Sequence, residues 1–391
     1  VIQVRGDSRS GWHRGHVIVA PDKFKGSLTA GQVAAHLAAG LRRARPDIPI
    51  VKVPVADGGD GTVDAMVDAG YARMQTGVTG PVGNTVAASF AMRGETAVVE
   101  LAEASGLRRL PDRPTPGTAL EATSAGTGDL IRTAVLGGAR KIILGLGGSA
   151  CTDGGSGLLT ALGARLLDAD DQPLPPGGAA LRNLERIDLT GLIRVPVTVA
   201  SDVDNPLLGP RGAAHVYAPQ KGAGPDEVEA LEQGLARFAE ISRRDLGTDL
   251  SERPGAGAAG GVGFAALAYL GAQIRPGIEI ILEQLDFDTL LGGARMVITG
   301  EGALDRQTLH GKAPIGVARA AARAEVPVVA ASGRRTLTLT MLRRFGIEDA
   351  YALTDIEPDP ELCMSNAGPL LEQLAVHIAE TRFDREVSRN R

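Results

Sequence analysis

The sequence predicts an α/β protein in which a parallel-sheet domain is made from both ends of the chain and a second, mixed α/β domain is inserted into it. Three observations carry that expectation. Near the start, two short apolar runs, His16–Ala20 and Ile50–Val55, each break into a polar, glycine-bearing loop and then into a helical pattern. That is the rhythm of parallel strands joined by right-handed crossovers. The last third returns to it with Arg295–Thr299, Pro327–Gly333 and Ala350–Thr354. Between them the pattern is less regular, which divides the chain into one domain of residues 16–75 plus 290–391 and an insert of 76–289.

Composition sets the limits. At 391 residues, 43% hydrophobic and 22% charged, the chain has material for two packed domains. A formal net charge of -5 and 3% aromatic residues offer neither the basic surface nor the stacking rings of a nucleic-acid binder. No apolar run reaches the length of a membrane span, and the first residues lack a signal-peptide core. The two cysteines, Cys151 and Cys363, make no disulfide framework or metal-ligand spacing, so a cytoplasmic protein is expected. Only six of the 41 basic residues are lysine. Four of these, Lys23, Lys25, Lys221 and Lys312, lie in or beside glycine-containing loops, where a compact ammonium suits a phosphate.

Taken in order, residues 1–15 are polar and aperiodic and read as a loose extension. The first strand turns at Pro21-Asp22 into KFKGSLTA, and Ser27 or Thr29 caps a helix through Arg43 with Val33, Leu37 and Leu41 on one stripe. The second strand leads through Ala56-Asp57-Gly58-Gly59-Asp60-Gly61-Thr62 into another helix. Asp22, Lys23, Lys25, Asp57 and Asp60 are therefore expected on one carboxyl rim of a sheet. Alternation in Thr85–Met92 and Thr96–Leu101 around Arg93-Gly94 predicts a hairpin. Thr123–Asp129 heads a helix that feeds the next strand, Ile142-Ile143-Leu144.

That strand opens the most informative stretch, Lys141–Leu158 (KIILGLGGSACTDGGSGL), where six glycines follow and a helix begins at Leu158. Glycine lets backbone amides approach an anion closely, and Ser149, Thr152 and Asp153 add two hydroxyls and a carboxylate. A phosphate-binding loop is one reading. A dinucleotide fingerprint over Gly145–Ala150, with Asp168 as ribose acid, is a second, and a purely structural strand-to-helix crossing is a third. Further on, a strand over Arg194–Ala200 ends in Ser201-Asp202-Val203-Asp204, whose two aspartates could share a cation. Residues 226–246 form an amphipathic helix, and Gly255–Gly261 repeats the dinucleotide spacing with no strand before it. The closing strands bring Gly300-Glu301-Gly302-Ala303-Leu304-Asp305-Arg306-Gln307 and His310-Gly311-Lys312. Five strand-end loops thus share glycine, aspartate, lysine and hydroxyl, the inventory for a phosphorylated ligand with magnesium, while P-loop and protein-kinase signatures are absent. The active site is expected in the cleft between the domains.

The ordered run VIVAPDKFKGSLTA, PVADGGDGT, GLGGSACTDGG, SDVDNPLLG, PQKGA, PGAGAAGG and VITGEGALDRQTLHGKAPIGVA resembles the bacterial glycerate kinase family of the D-glycerate 2-kinase type, over about residues 16 to 380. Lys23 stands where that family more often has Ser, Cys151-Thr152 where it has Thr-Asn, and Ala125 where it has Arg or Tyr. The resemblance implies a flavodoxin-like domain with an inserted α/β domain, ATP and Mg2+ as cofactors, and transfer to the 2-hydroxyl of D-glycerate to give 2-phosphoglycerate, in organic-acid catabolism. Candidate catalytic residues are Lys25, which would stabilise the transferring phosphoryl group, and Asp57 or Asp202, which would accept the hydroxyl proton. Lys23, Ser27, Gly147, Gly148, Ser149, Asp153, Lys221, His310 and Lys312 are candidate substrate or phosphate contacts. Asp204, Glu301 and Asp305 are candidate magnesium ligands. Each carboxylate also has a plainer reading as a cap or turn residue. The alternative function is an NAD-linked hydroxy-acid dehydrogenase. Oligomeric state, a homodimer included, is not fixed by the sequence.

Overall fold

A computed structural model describes residues 15–389; the expected extension falls outside them except for Gly15. The described residues form thirteen strands: β1 His16–Pro21, β2 Ile50–Lys52, β3 Ala72–Thr79, β4 Thr85–Arg93, β5 Thr96–Glu100, β6 Lys141–Gly145, β7 Arg165–Leu167, β8 Arg186–Asp188, β9 Val197–Ala200, β10 Gln273–Arg275, β11 Ala294–Leu304, β12 Val328–Arg335 and β13 Ile347–Ala352. Two compact units result. Of the described residues, the first takes those up to Asp57, Asp64–Gly70 and those from Ile278 onward, and the second takes Gly58–Val63 and Tyr71–Gly277. The chain thus changes unit at Gly70/Tyr71 and Gly277/Ile278, somewhat before 75 and 290, and the short segment Gly58–Val63 groups with the insert.

The sheet of the first unit runs β13-β12-β11-β1-β2, every neighbouring pair parallel. Renumbered by order of use in this unit, that is the 2-1-3-4-5 arrangement of a flavodoxin-like fold. The interior strand β1, between β11 and β2, is buried along its whole length, as an unbroken apolar run should be. The helix Ala30–Ala44 starts where Thr29 and Gln32 close a capping box: Gln32 N–H donates to Thr29 Oγ1 at 3.2 Å, and Thr29 N–H to Gln32 Oε1 at 2.9 Å. Val33, Leu37 and Leu41 from its inner stripe pack with Val17, Val19, Ile298, Leu371 and Leu374. β2 ends at Lys52, short of the expected Val55, because Pro54 has no N–H to give; Val53 and Val55 still donate to Val19 and Pro21 carbonyls. β11 runs past the expected end at Thr299, since Gly300 to Leu304 stay in register with Ala331 to Arg335 of β12. The segment read as a loop from Gly300 therefore becomes one only at Asp305.

The sheet of the second unit runs β10-β9-β6-β5-β4-β3. The expected hairpin is β4 and β5, and β5, β6, β9 and β10 are mutually parallel. β3 pairs antiparallel to β4 along its whole length, and the sequence alone does not give it away: ARMQTGVT is an edge strand with most residues exposed, so it lacks the apolar alternation of a half-buried one. β7 and β8 make a separate two-stranded ribbon. The core gathers Ile142, Leu144, Leu130, Leu158 and Val99 with Phe238, whose ring meets Phe264 edge-on at 5.4 Å and stacks on Tyr269 at 5.8 Å.

Candidate active site

In the first unit, the carboxyl ends of β1 and β11 place acids and lysines near one another. Asp22 follows β1 directly; its backbone N–H donates to Gly300 O at 2.8 Å, and its carboxylate accepts the Lys23 N–H at 2.6 Å. Burial, with the like charges of Asp57 and Glu301, pushes its carboxyl up to about 8, against Lys23 acting the other way. The next residues form a tight loop pinned by buried Phe24, which exchanges backbone bonds with Leu28, while Lys25 is exposed beside it. Of the two cap candidates Thr29 takes the role, and Ser27 Oγ donates to Met364 O at 2.8 Å.

Glu301 lies on β11, buried, and accepts from Thr308 Oγ1 at 2.6 Å and from Lys312 Nζ at 3.3 Å. Burial raises its pKa, with the Thr308 bond and the Lys312 charge opposing. Asp305 closes a turn, its Oδ1 accepting from Gln307 N–H at 2.8 Å. Lys312 stands at the N-cap of the helix Ala313–Arg323. The backbone of His310 ends the one-turn helix Thr308–His310; its side chain lies outside the described residues.

In the second unit, the carboxyl ends of β5, β6 and β9 stand in register at Glu100, Gly145 and Ala200. The loop after β6 packs so closely on Gly58–Asp60 that a Cβ on Gly147 would stand 2.5 Å from Gly59 Cα. Gly148 takes φ 73°. On its other side the loop bonds through Leu107 N–H to Gly148 O and Ala150 N–H to Ser105 O, both 2.9 Å. Among the described residues the consecutive N–H groups of Gly147, Gly148 and Ser149 meet no acceptor. Three such donors in a row, two from glycines, make an anion-binding concavity.

Two residues expected to touch a ligand turn inward and brace this loop instead. Asp153 is fully buried, and its carboxylate accepts from Ser124 N–H and Oγ at 2.8 Å, Gly155 N–H at 3.0 Å and Gly157 N–H at 3.2 Å. With its lone pairs so used, it staples the glycine turn to the start of the helix Ala125–Leu136. Lys221 is 2% exposed, and its Nζ donates to Ser149 Oγ at 2.9 Å, Cys151 O at 2.5 Å and Thr152 Oγ1 at 3.4 Å. Burial pushes its ammonium down to about 8, with Cys151 and Asp153 acting the other way. Cys151 is buried and its thiol is pushed up by burial, which makes it a packed small residue. Asp202 and Asp204 lie exposed on the loop after β9.

Asp60 groups with this unit, and its carboxylate pairs with Arg108. Arg108 also holds Glu103 and, at 3.4 Å, Glu100, whose buried carboxylate accepts from Gly61 N–H at 3.1 Å and Val63 N–H at 3.2 Å. Burial pushes Glu100 up to about 7, with Arg108 opposing. The sequence reading passed over Glu100, although an acid closing a strand next to the glycine loop was a visible signal. Asp168, the ribose acid of the dinucleotide reading, closes its own turn by accepting from Asp170 and Gln172 N–H at 2.9 Å. The strand before it, β7, lies in the ribbon and not beside β6, so the βαβ unit that such a fingerprint needs is missing.

A flavodoxin-like unit carrying an inserted α/β unit, with acids, lysines and an anion-ready glycine loop at strand ends, defines a phosphotransferase of parallel α/β class. Known proteins make the class specific. The family model described as "Glycerate kinase family" matches residues 17–382. A "Glycerate kinase" of Bacillus subtilis (strain 168) is 44% identical over 93% of this chain and 96% of its own length, and a "Glycerate 2-kinase" of Escherichia coli (strain K12) is 43% identical over 86% and 90%. A crystal structure described as "putative glycerate kinase 2 from Salmonella typhimurium LT2" superposes with a TM-score of 0.84 at 41% identity, covering 95% of this chain and 99% of that one. The chain belongs to the glycerate kinase family and is a kinase.

Proposed function

We propose that this protein transfers the γ-phosphoryl group of ATP to the 2-hydroxyl of D-glycerate, giving 2-phosphoglycerate and ADP. The observation that carries the reading is the row of unspent amides at Gly147, Gly148 and Ser149, in a chain of this family and 43% identical to a relative named for 2-phosphorylation. In the second unit these amides would cradle a phosphoryl group, and in the first unit Lys25 and Lys312 are cations suited to offset phosphate charge. Asp57 or Asp202 would take the glycerate hydroxyl proton as the oxygen bonds to phosphorus and the bond to the ADP oxygen breaks. Lys23 and Ser27 flank Lys25 and would line the acceptor.

Magnesium is commonly held by one or two carboxylates together with nucleotide phosphates. Among the described residues no cluster of three or more His, Cys, Asp or Glu could hold a metal. The exposed Asp204, with Asp202 two residues away, fits the one-or-two-carboxylate pattern, whereas Glu301 is engaged by Thr308 and Lys312 and Asp305 keeps one oxygen for its turn. When bound, the ion would neutralise charge on the phosphates. A cytoplasmic location fits the two free, buried cysteines. The test is incubation with ATP, magnesium and D-glycerate, followed by phosphorus NMR. A 2-ester is expected; a 3-ester would overturn the regiochemistry, and no ester the function.

A further inference from the structure

Lys221 is the least expected group in the second unit: a buried ammonium whose three hydrogen-bond partners are all neutral oxygens of the glycine loop. Its backbone is fixed by the one-turn helix Pro219–Lys221 and by Gly222, which at φ 99° leaves only 2.6 Å between a would-be Cβ and Thr115 N. An ammonium has three donors and no lone pair, so Ser149 Oγ and Thr152 Oγ1 can only accept from it. The hydroxyl proton of Ser149 must then point elsewhere, and among the described residues it finds no acceptor. It stands in the same row as the unspent amides of Gly147, Gly148 and Ser149.

From this we infer that Lys221 is a positioning residue: it fixes Ser149 as a fourth hydrogen-bond donor of the loop, directed to an oxyanion of the phosphoryl ligand, without touching that ligand itself. The inference rests on the phosphoryl-transfer reading and gives that loop its polarity. A hydroxyl free to rotate could spend its proton inward; one that accepts from the ammonium keeps its proton turned away from Lys221 and available to donate outward.

The test is a double-mutant cycle of Lys221→Met and Ser149→Ala, reading kcat/KM for glycerate phosphorylation beside the melting temperature. Each single variant should lose about 10- to 100-fold in kcat/KM, the range for hydrogen bonds to charged groups, and the double variant should be little worse than either. A merely structural lysine would lower the melting temperature and leave kcat/KM of the folded enzyme within twofold of wild type, and that result overturns the inference. So do losses that multiply in the double variant. Should Lys221→Met not fold, Ser149→Ala alone decides, since wild-type kinetics in it leave the hydroxyl without a role. If the wild type makes no phosphoglycerate, the proposed reaction falls separately, and stabilisation by inorganic phosphate is compared instead. Loss of that stabilisation in Ser149→Ala supports the donor assignment, and equal stabilisation overturns it.

Discussion

Asp22 concentrates the electrostatics of the first unit into one side chain. Its folded pKa of about 8 lies far above the ordinary carboxylate value of 3.8, so between those limits the native state keeps a proton that the unfolded chain has released. Its contribution to stability is therefore fully present below about pH 4, falls as pH rises, and is lost above about 8. Asp22→Asn removes that titration. In the presence of chelator the variant should melt higher than wild type at pH 8, by at least about 2 °C, with the gap closing toward pH 5. A gap that does not change with pH would remove Asp22 as the group responsible. The sequence placed Asp22 on the rim through the position of its strand, yet the choice of Asp57 and Asp202 over it could not be improved without knowing which carboxyl is desolvated. Glu100 makes the same point: its place at a strand end was visible, but its bonds to Gly61 and Val63 cross a long stretch of sequence.

At the scale of the element, the loop after β6 shows how much glycine patterning can specify. The strand before it and the helix after it were readable from composition and periodicity, whereas its bracing was not, because Lys221 and Ser124, the partner of Asp153, are distant in sequence from it. Gly147→Ala would drive a methyl against the backbone of Gly59, where no side chain can swing aside. The expected result is a loss of about 1–3 kcal/mol in stability and at least about tenfold in kcat/KM. Gly117→Ala, inside the helix Pro116–Glu121 with its nearest neighbour at 3.9 Å, should be tolerated. Equal behaviour of the two variants in denaturant melts and assays would show that the close approach does not matter. Edge strand β3 is mostly exposed and so lacks apolar alternation, and β7 and β8, at three residues each, are too short to show a period.

Across the whole molecule, that the first sheet takes its strands from both ends of the chain was inferable because both ends repeat one pattern, whereas the order of those strands was not. The first strand, β1, lies inside the sheet, with β2 on one side and β11 on the other. Synthesis supplies β2 within moments, but β11 begins only at Ala294, after the inserted unit has been made. At ribosomal speeds of about 5–20 residues per second, β1 therefore waits on the order of 10–50 s with one edge unpaired and strongly apolar. Stalled nascent chains that end before β11 should be cleaved by protease within residues 16–57, while the inserted unit resists; protection of that early segment should appear only once β11 to β13 have emerged. Early protection would mean that β1 finds a temporary partner. The price of weaving one sheet from both chain ends is thus a period of vulnerability during birth, and this kinase would be a natural client for factors that shield exposed strand edges on the ribosome.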